Sequence, residues 1–223
     1  MTFSNLWGLA LTLIVFFISI KISKYLKKIP PILITGVFII FFLKYYNIPF
    51  ESYNKSAGIL TMLLGPATIA LGYPLYKNLH LLKRNKRAIY SGFTVAILSA
   101  LISTYFLGNL MHLNKELIMS ILPKSITTPL AVEISNQIHG LPQITACIVF
   151  LTGLFGALFS HDILKHLKIK SDIAKGIAIG ASSHVMGTSS CVEKKREIQI
   201  TFSTVALIIV GILTSFCCIL IFN

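Results

Sequence analysis

Three ionisable side chains, Lys124, Glu133 and His184, sit inside stretches otherwise built of apolar and small hydroxyl residues. Ionisable groups within a membrane segment are costly and rarely face lipid, so each is a candidate for function. Lys124 lies in Leu122-Pro-Lys-Ser-Ile-Thr-Thr-Pro129, beside Ser125, Thr127 and Thr128. One cation, several hydroxyl donors and the free N–H groups of a helix starting near Pro129 together suit a small anion. Glu133, nine residues on, could be the counter-ion of Lys124 or carry a proton. Without a ligand, Lys124 would snorkel to the interface and Glu133 would cap a packed helix.

His184 lies in Gly180-Ala-Ser-Ser-His-Val-Met-Gly-Thr188, among Ser182, Ser183 and Thr188. An imidazole titrates near neutral pH and suits proton-linked gating, although a membrane histidine also serves as an interhelical hydrogen-bonding group. The substrate-binding candidates are thus Lys124, Ser125, Thr127, Thr128, Ser182, Ser183 and Thr188, with Glu133 and His184 for proton coupling or charge balance. No nucleophile, base and acid share a readable spacing, so no catalytic residue is assigned and no enzyme is expected. The four cysteines form no CxxC and no Cys/His ligand pattern, so neither a metal nor a cofactor is expected.

The elements that hold these groups must be membrane helices. Of the 223 residues, 55% are hydrophobic and 12% charged, and the mean hydropathy is +0.80. A soluble domain would carry about twice that charged share. The net charge of +13 does not imply nucleic acid, because the basic residues form short clusters between apolar runs, not one patch with interleaved aromatics. Residues 1–20 hold no charge, and Lys21, Lys24, Lys27 and Lys28 follow directly, the layout of a first span and not of a cleaved leader. Tyrosines and Trp7 lie mostly near segment ends, as interface anchors do.

Charge-free stretches run through 1–20, 29–43, 56–76, 88–114, 134–160, 176–192 and 198–223, and 117–138 is apolar apart from Lys124 and Glu133. These give an all-α, polytopic membrane domain over 1–223, with about six to eight transmembrane segments. Four clusters, Lys21–Lys28, Lys77–Arg87, Lys165–Lys175 and Lys194–Arg196, hold 16 of the 20 basic residues and should share the cytoplasmic side. Eight simple crossings would put the third cluster outside. The conflict vanishes if 117–138 enters from outside and 176–192 from the cytoplasm, each returning to its own side. The alternative is two kinked crossings and one loop that breaks the charge rule. Turning backbone at membrane depth needs protein or a wet cavity around it.

Backbone breaks are expected at Gly65, Pro66, Gly72, Pro74, Pro129, Gly180 and Gly187. Interrupted segments in two halves are a pointer to a transporter's binding site, although no residue-level repeat joins the halves here.

The same motifs carry a family resemblance over nearly the whole chain. Leu64-Gly-Pro-Ala-Thr-Ile-Ala-Leu71, Pro74-Leu-Tyr76 and Pro123-Lys-Ser-Ile-Thr-Thr-Pro-Leu-Ala-Val-Glu-Ile-Ser135 lead, followed by Gly140-Leu-Pro142, Leu151-Thr-Gly153, Ala174-Lys-Gly176 and Gly180-Ala-Ser-Ser-His184 with Gly187-Thr188. In this order they resemble the LrgB/CidB family of antiholin-like and holin-like bacterial membrane proteins. Pro30-Pro31 and Ser189-Ser-Cys191 depart from the family's usual residues. The resemblance implies a multi-pass protein of the bacterial cell membrane. It also implies a small holin-like (LrgA/CidA-type) partner, homo-oligomers, and control of murein hydrolase activity and lysis. Relatives that move small carboxylates imply a second role, as a monocarboxylate transporter or exporter component of the pyruvate or glycolate type.

Overall fold

The computed structural model describes residues 6–25, 29–63, 66, 69, 73, 76 and 86–222. The protein is an all-α polytopic membrane protein. Where the sequence reads as one continuous domain, the chain packs as two compact units, Met1–Ile69 and Ala70–Asn223. Of the expected breaks in the first half, Gly65, Gly72 and Pro74 lie outside the described residues; Pro66 is described and exposed.

The first unit holds α1 (Trp7–Tyr25), α2 (Pro31–Tyr45) and α3 (Phe50–Met62). Pro31 opens α2, where its missing N–H leaves no intrahelical bond unmade. Gly8 brings α1 against α3: its N–H donates to Ser56 Oγ at 3.1 Å, and Thr12 Oγ1 lies 2.7 Å from the Tyr53 hydroxyl. The outer faces stay apolar, with Phe17, Ile40 and Phe41 all exposed, as lipid contact requires.

The second unit contains α4 (Lys86–Leu110), α5 (Lys115–Ile121), α6 (Thr128–Gln137), α7 (Pro142–His166), α8 (Asp172–Glu193) and α9 (Glu197–Phe222). Four helices of the described chain are long and apolar enough to cross a bilayer: α1, most of α4, α7 and α9. By contrast, α5 and α6 have 7 and 10 residues, about 15 Å at most, half the hydrocarbon thickness. They form a hairpin. Thr145 Oγ1 at the start of α7 lies 2.8 Å from the Ser120 carbonyl and 2.6 Å from Ser135 Oγ, so the two arms meet side by side. Leu141 N–H donates to Ser120 Oγ at 2.7 Å, placing the hairpin's exit beside its entry arm. Pro123 ends the first arm, and Pro129 sits in the first turn of the second.

α8 also folds back on itself. Ser183 (φ −134°, ψ 16°) and His184 (φ 41°, ψ −138°) interrupt it, dividing it into an entering and a returning arm. His184 touches the middle of α7 at Val149, whereas Ser190, later in the chain, lies 3.2 Å from His161 near the end of α7. A straight helix would have carried Ser190 the opposite way. The base is closed by Gln199 Nε2, which donates to Asp172 Oδ1 at 2.7 Å. The clusters Lys165–Lys175 and Lys194–Arg196 therefore share one side, as the charge pattern requires. Gly92 of α4 meets Ile177 of the entering arm, so the α4 end bearing Lys86 and Arg87 lies there too.

The break falls on Ser183 and His184, not on Gly180 or Gly187. Both glycines have negative φ and serve close packing. A Cβ on Gly180 would run into the Ser203 carbonyl oxygen in α9 and lie 2.7 Å from Ser203 Cα, and one on Gly187 would lie 2.6 Å from Ser183 Cβ. Each of α4 and α7 is thus followed by a hairpin entering from the end where that spanning helix stops. The two pairs run in opposite senses. Ile118, Met119, Leu122, Ile138, Val149 and Phe202 fill the core between them.

Candidate functional site

The tips of the two hairpins border one cavity of about 550 Å³, within the usual range for small-molecule pockets. Lys124 and Ser125 come from the first tip, and Ser182 and Ser183 from the second. α4 adds Ser99 and Ser103 on a stripe with Ala96 and Ala100, while α7 adds Thr152, Phe155, Gly156 and Ser160. The cavity continues to Ile163 and Leu164, in the last turns of α7 before its basic end.

Among the described residues, Lys124 is the one charged side chain on this wall. Its ammonium donates to Thr104 Oγ1 of α4, and no described carboxylate pairs with it. A cation here, with hydroxyls and no acid around it, makes an anion the complementary ligand. Ser182 and Ser183 hydroxyls lie 3.0 Å apart. Ser160 Oγ is buried without a hydrogen-bond partner, so it keeps both donor and acceptor capacity for a ligand. Ser99 and Ser103 are instead satisfied by the carbonyls of Ala96 and Ala100 on their own helix.

The structure brings together four of the residues singled out from the sequence: Lys124, Ser125, Ser182 and Ser183. Thr127 and Thr128 stand behind the first tip. Thr127 precedes α6, and its hydroxyl is buried and unpartnered. Thr188 donates to the His184 carbonyl at 3.0 Å and does not line the cavity. Glu133 is on the exposed side of α6, where Gln137 Nε2 donates to it at 2.9 Å; it makes no ion pair with Lys124. Of the two roles expected for Glu133, that of counter-ion to Lys124 is therefore corrected: the eight intervening residues of loop and helix turn the two side chains to different faces. His184 is buried against α7, with Nε2–H donating to the Val149 carbonyl at 3.0 Å.

Sequence reasoning missed Ser99, Ser103, Thr104, Thr152 and Ser160. The signal was present as small and hydroxyl residues at helical spacing, Ala96-Ser99-Ala100-Ser103, within an otherwise bulky span. A second polar group was also missed, His161 with Ser190, buried at the foot of the returning arm. No group of three or more metal-ligating side chains is found among the described residues.

Comparison with known proteins gives the chain a family. The LrgB-like family model matches residues 12–223. The uncharacterized protein YwbG of Bacillus subtilis (strain 168) is 35% identical over 95% of both chains. An uncharacterized protein of Haemophilus influenzae is 33% identical over 92% of this chain and 89% of its own. The antiholin-like protein LrgB of Bacillus mycoides (strain KBAB4) is 32% identical over 96% of this chain and 94% of its own. No solved structure matches. With a family match spanning nearly its whole length and relatives alike over most of both chains, this chain belongs to the LrgB-like family.

Proposed function

We propose that this protein carries small monocarboxylates across the bacterial cell membrane. The observation that supports this best is Lys124, a cation without an acid partner among the described residues, on the wall of a cavity bordered by both hairpin tips. The carboxylate would bind the Lys124 ammonium and take hydrogen bonds from Ser125, Ser182 and Ser183. Phe155 and the alanines of α4 would cover its short apolar part. A single cation favours one carboxylate over two, since a second would be desolvated without a partner. No bond is made or broken, so the protein acts as a carrier and not as an enzyme. By the charge rule the cavity mouth is cytoplasmic, which suits export. Binding is assigned to Lys124 and the hydroxyls; Glu133 and His184 stand off the cavity wall.

The test is uptake of labelled pyruvate, glycolate and lactate into proteoliposomes holding only this protein, with and without a pH gradient. Saturable uptake lost in Lys124→Ala is the expected result. Normal uptake in that variant overturns the site.

A second reading is favoured by the names of relatives, several of which are antiholin-like proteins. In it the protein regulates murein hydrolase activity and lysis through a small holin-like partner or its own oligomers, with no substrate path. Lys124→Ala would then leave lysis timing in cells unchanged, whereas substitutions on exposed helix faces would alter it.

A further inference from the structure

The tip of the second hairpin combines an unfavourable backbone with a fitted side-chain socket. His184 has φ 41° and ψ −138°, a conformation that a residue with a Cβ adopts at a cost and glycine adopts freely. The chain has glycine at 180 and 187 and histidine at the turn itself. What histidine offers there is its ring. The imidazole is 3% exposed, and its Nε2–H reaches the Val149 carbonyl in the middle of α7. α7 is cut away to receive it. A Cβ on Gly153 would lie 2.5 Å from His184 Cε1 and 2.7 Å from Nε2, and a Cβ on Gly156 would occupy the place of the Ser183 side chain. Thr188 holds the His184 carbonyl from the returning arm.

A histidine serving packing alone would need its buried N–H satisfied but not the strained turn that carries it. We propose that His184 is the positioning residue of the cavity. Its ring bolts the tip into the Gly153–Gly156 notch, which sets Ser182 and Ser183 on the cavity wall with Lys124. Release of the bolt frees the tip to open the cavity toward the opposite face of the membrane. The step from tip position to carboxylate movement rests on the transport reading; the placement of the tip does not.

The experiment uses full-length protein with its four native cysteines replaced by alanine and Ser182→Cys as reporter. A membrane-impermeant maleimide is applied to right-side-out and inside-out vesicles. The parent should label from the basic side only. His184→Gly deletes the bolt and relieves the turn; Gly153→Ala fills the socket and leaves the tip sequence native. Both should raise labelling from the opposite side by about tenfold, the order of population shift from losing one buried hydrogen bond. His184→Gln, which keeps an N–H donor, should restore most of the parent's one-sided pattern. Unchanged labelling in both disruptive variants overturns the proposal. So does failure of all three variants to fold, which would make His184 a packing residue. Shifted labelling, together with no carboxylate movement by the protein with native Ser182, would leave the bolt standing and sink the transport reading instead.

Discussion

Gln199, in the first turn of α9, donates its side-chain amide to the carboxylate of Asp172, the first residue of α8, at 2.7 Å across 27 residues of chain. The whole α8 segment lies between these two residues, yet its ends touch. This one bond identifies α8 as a hairpin that leaves the membrane on the side where it entered.

The clamp has a pH signature. The Gln199 amide, with Lys175 nearby, holds the Asp172 carboxyl below the usual aspartate range. A depressed folded-state value means the stabilisation is fully present above the ordinary aspartate range and is lost as pH falls through the lowered value. Thermal unfolding in detergent should therefore be flat near neutrality and fall below about pH 4, with a shallower fall in Asp172→Asn. Identical acid limbs in the two proteins would remove Asp172 from the clamp.

Re-entry has a direct topological consequence. Cysteines placed at Lys170, just before the entering arm, and at Glu193, the last residue of the returning arm, should be labelled from the same face of the membrane. A cysteine at Gln143, the exposed second residue of α7, should be labelled from the other face. Opposite-side labelling of positions 170 and 193 would make α8 a crossing helix.

Thr104 carries the resting contact of Lys124. Thr104→Val removes the hydroxyl and leaves the ammonium without that partner, a loss of about 1–3 kcal/mol for a buried charged group. Carboxylate affinity in the uptake assay should then rise, because the anion no longer competes with Thr104, while the ligand-free protein melts lower. Weaker binding in Thr104→Val would show that the hydroxyl also holds the anion.

Glycines of the two units should respond differently to alanine. A Cβ at Gly180 runs into the Ser203 backbone, which cannot swing aside as a flexible side chain would. Gly180→Ala should destabilise by about 1–3 kcal/mol, as overpacking does. Gly36 of α2 has open space at that position, so Gly36→Ala should be neutral or stabilising by up to about 1 kcal/mol. A harmless Gly180→Ala would separate α8 from α9.

Much of the protein was legible from the sequence because the bilayer leaves few solutions. Apolar runs of spanning length gave α1, α4, α7 and α9. The basic clusters favoured a turn back in 117–138 and 176–192 over two kinked crossings, and the contacts of Ser120, Ser135, Ser190 and Asp172 show that both turn back. Lys124 stood out because a cation is costly at that depth. Other features depended on which face of each helix meets which neighbour, a property set by three-dimensional packing. Glu133 and Lys124 are nine residues apart in one hairpin, yet α6 presents Glu133 outward and the tip presents Lys124 to the cavity. Ser99, Thr152 and Ser160 are ordinary small residues of long helices until the tips arrive beside them. The turn in α8 fell on His184 because its ring finds a carbonyl and a glycine notch on α7, a pairing 35 residues away that no local propensity encodes. Sequence determined that the chain enters the membrane and which segments are short or broken; only the tertiary structure decided the residue at which α8 turns and which side chains the turns bring together.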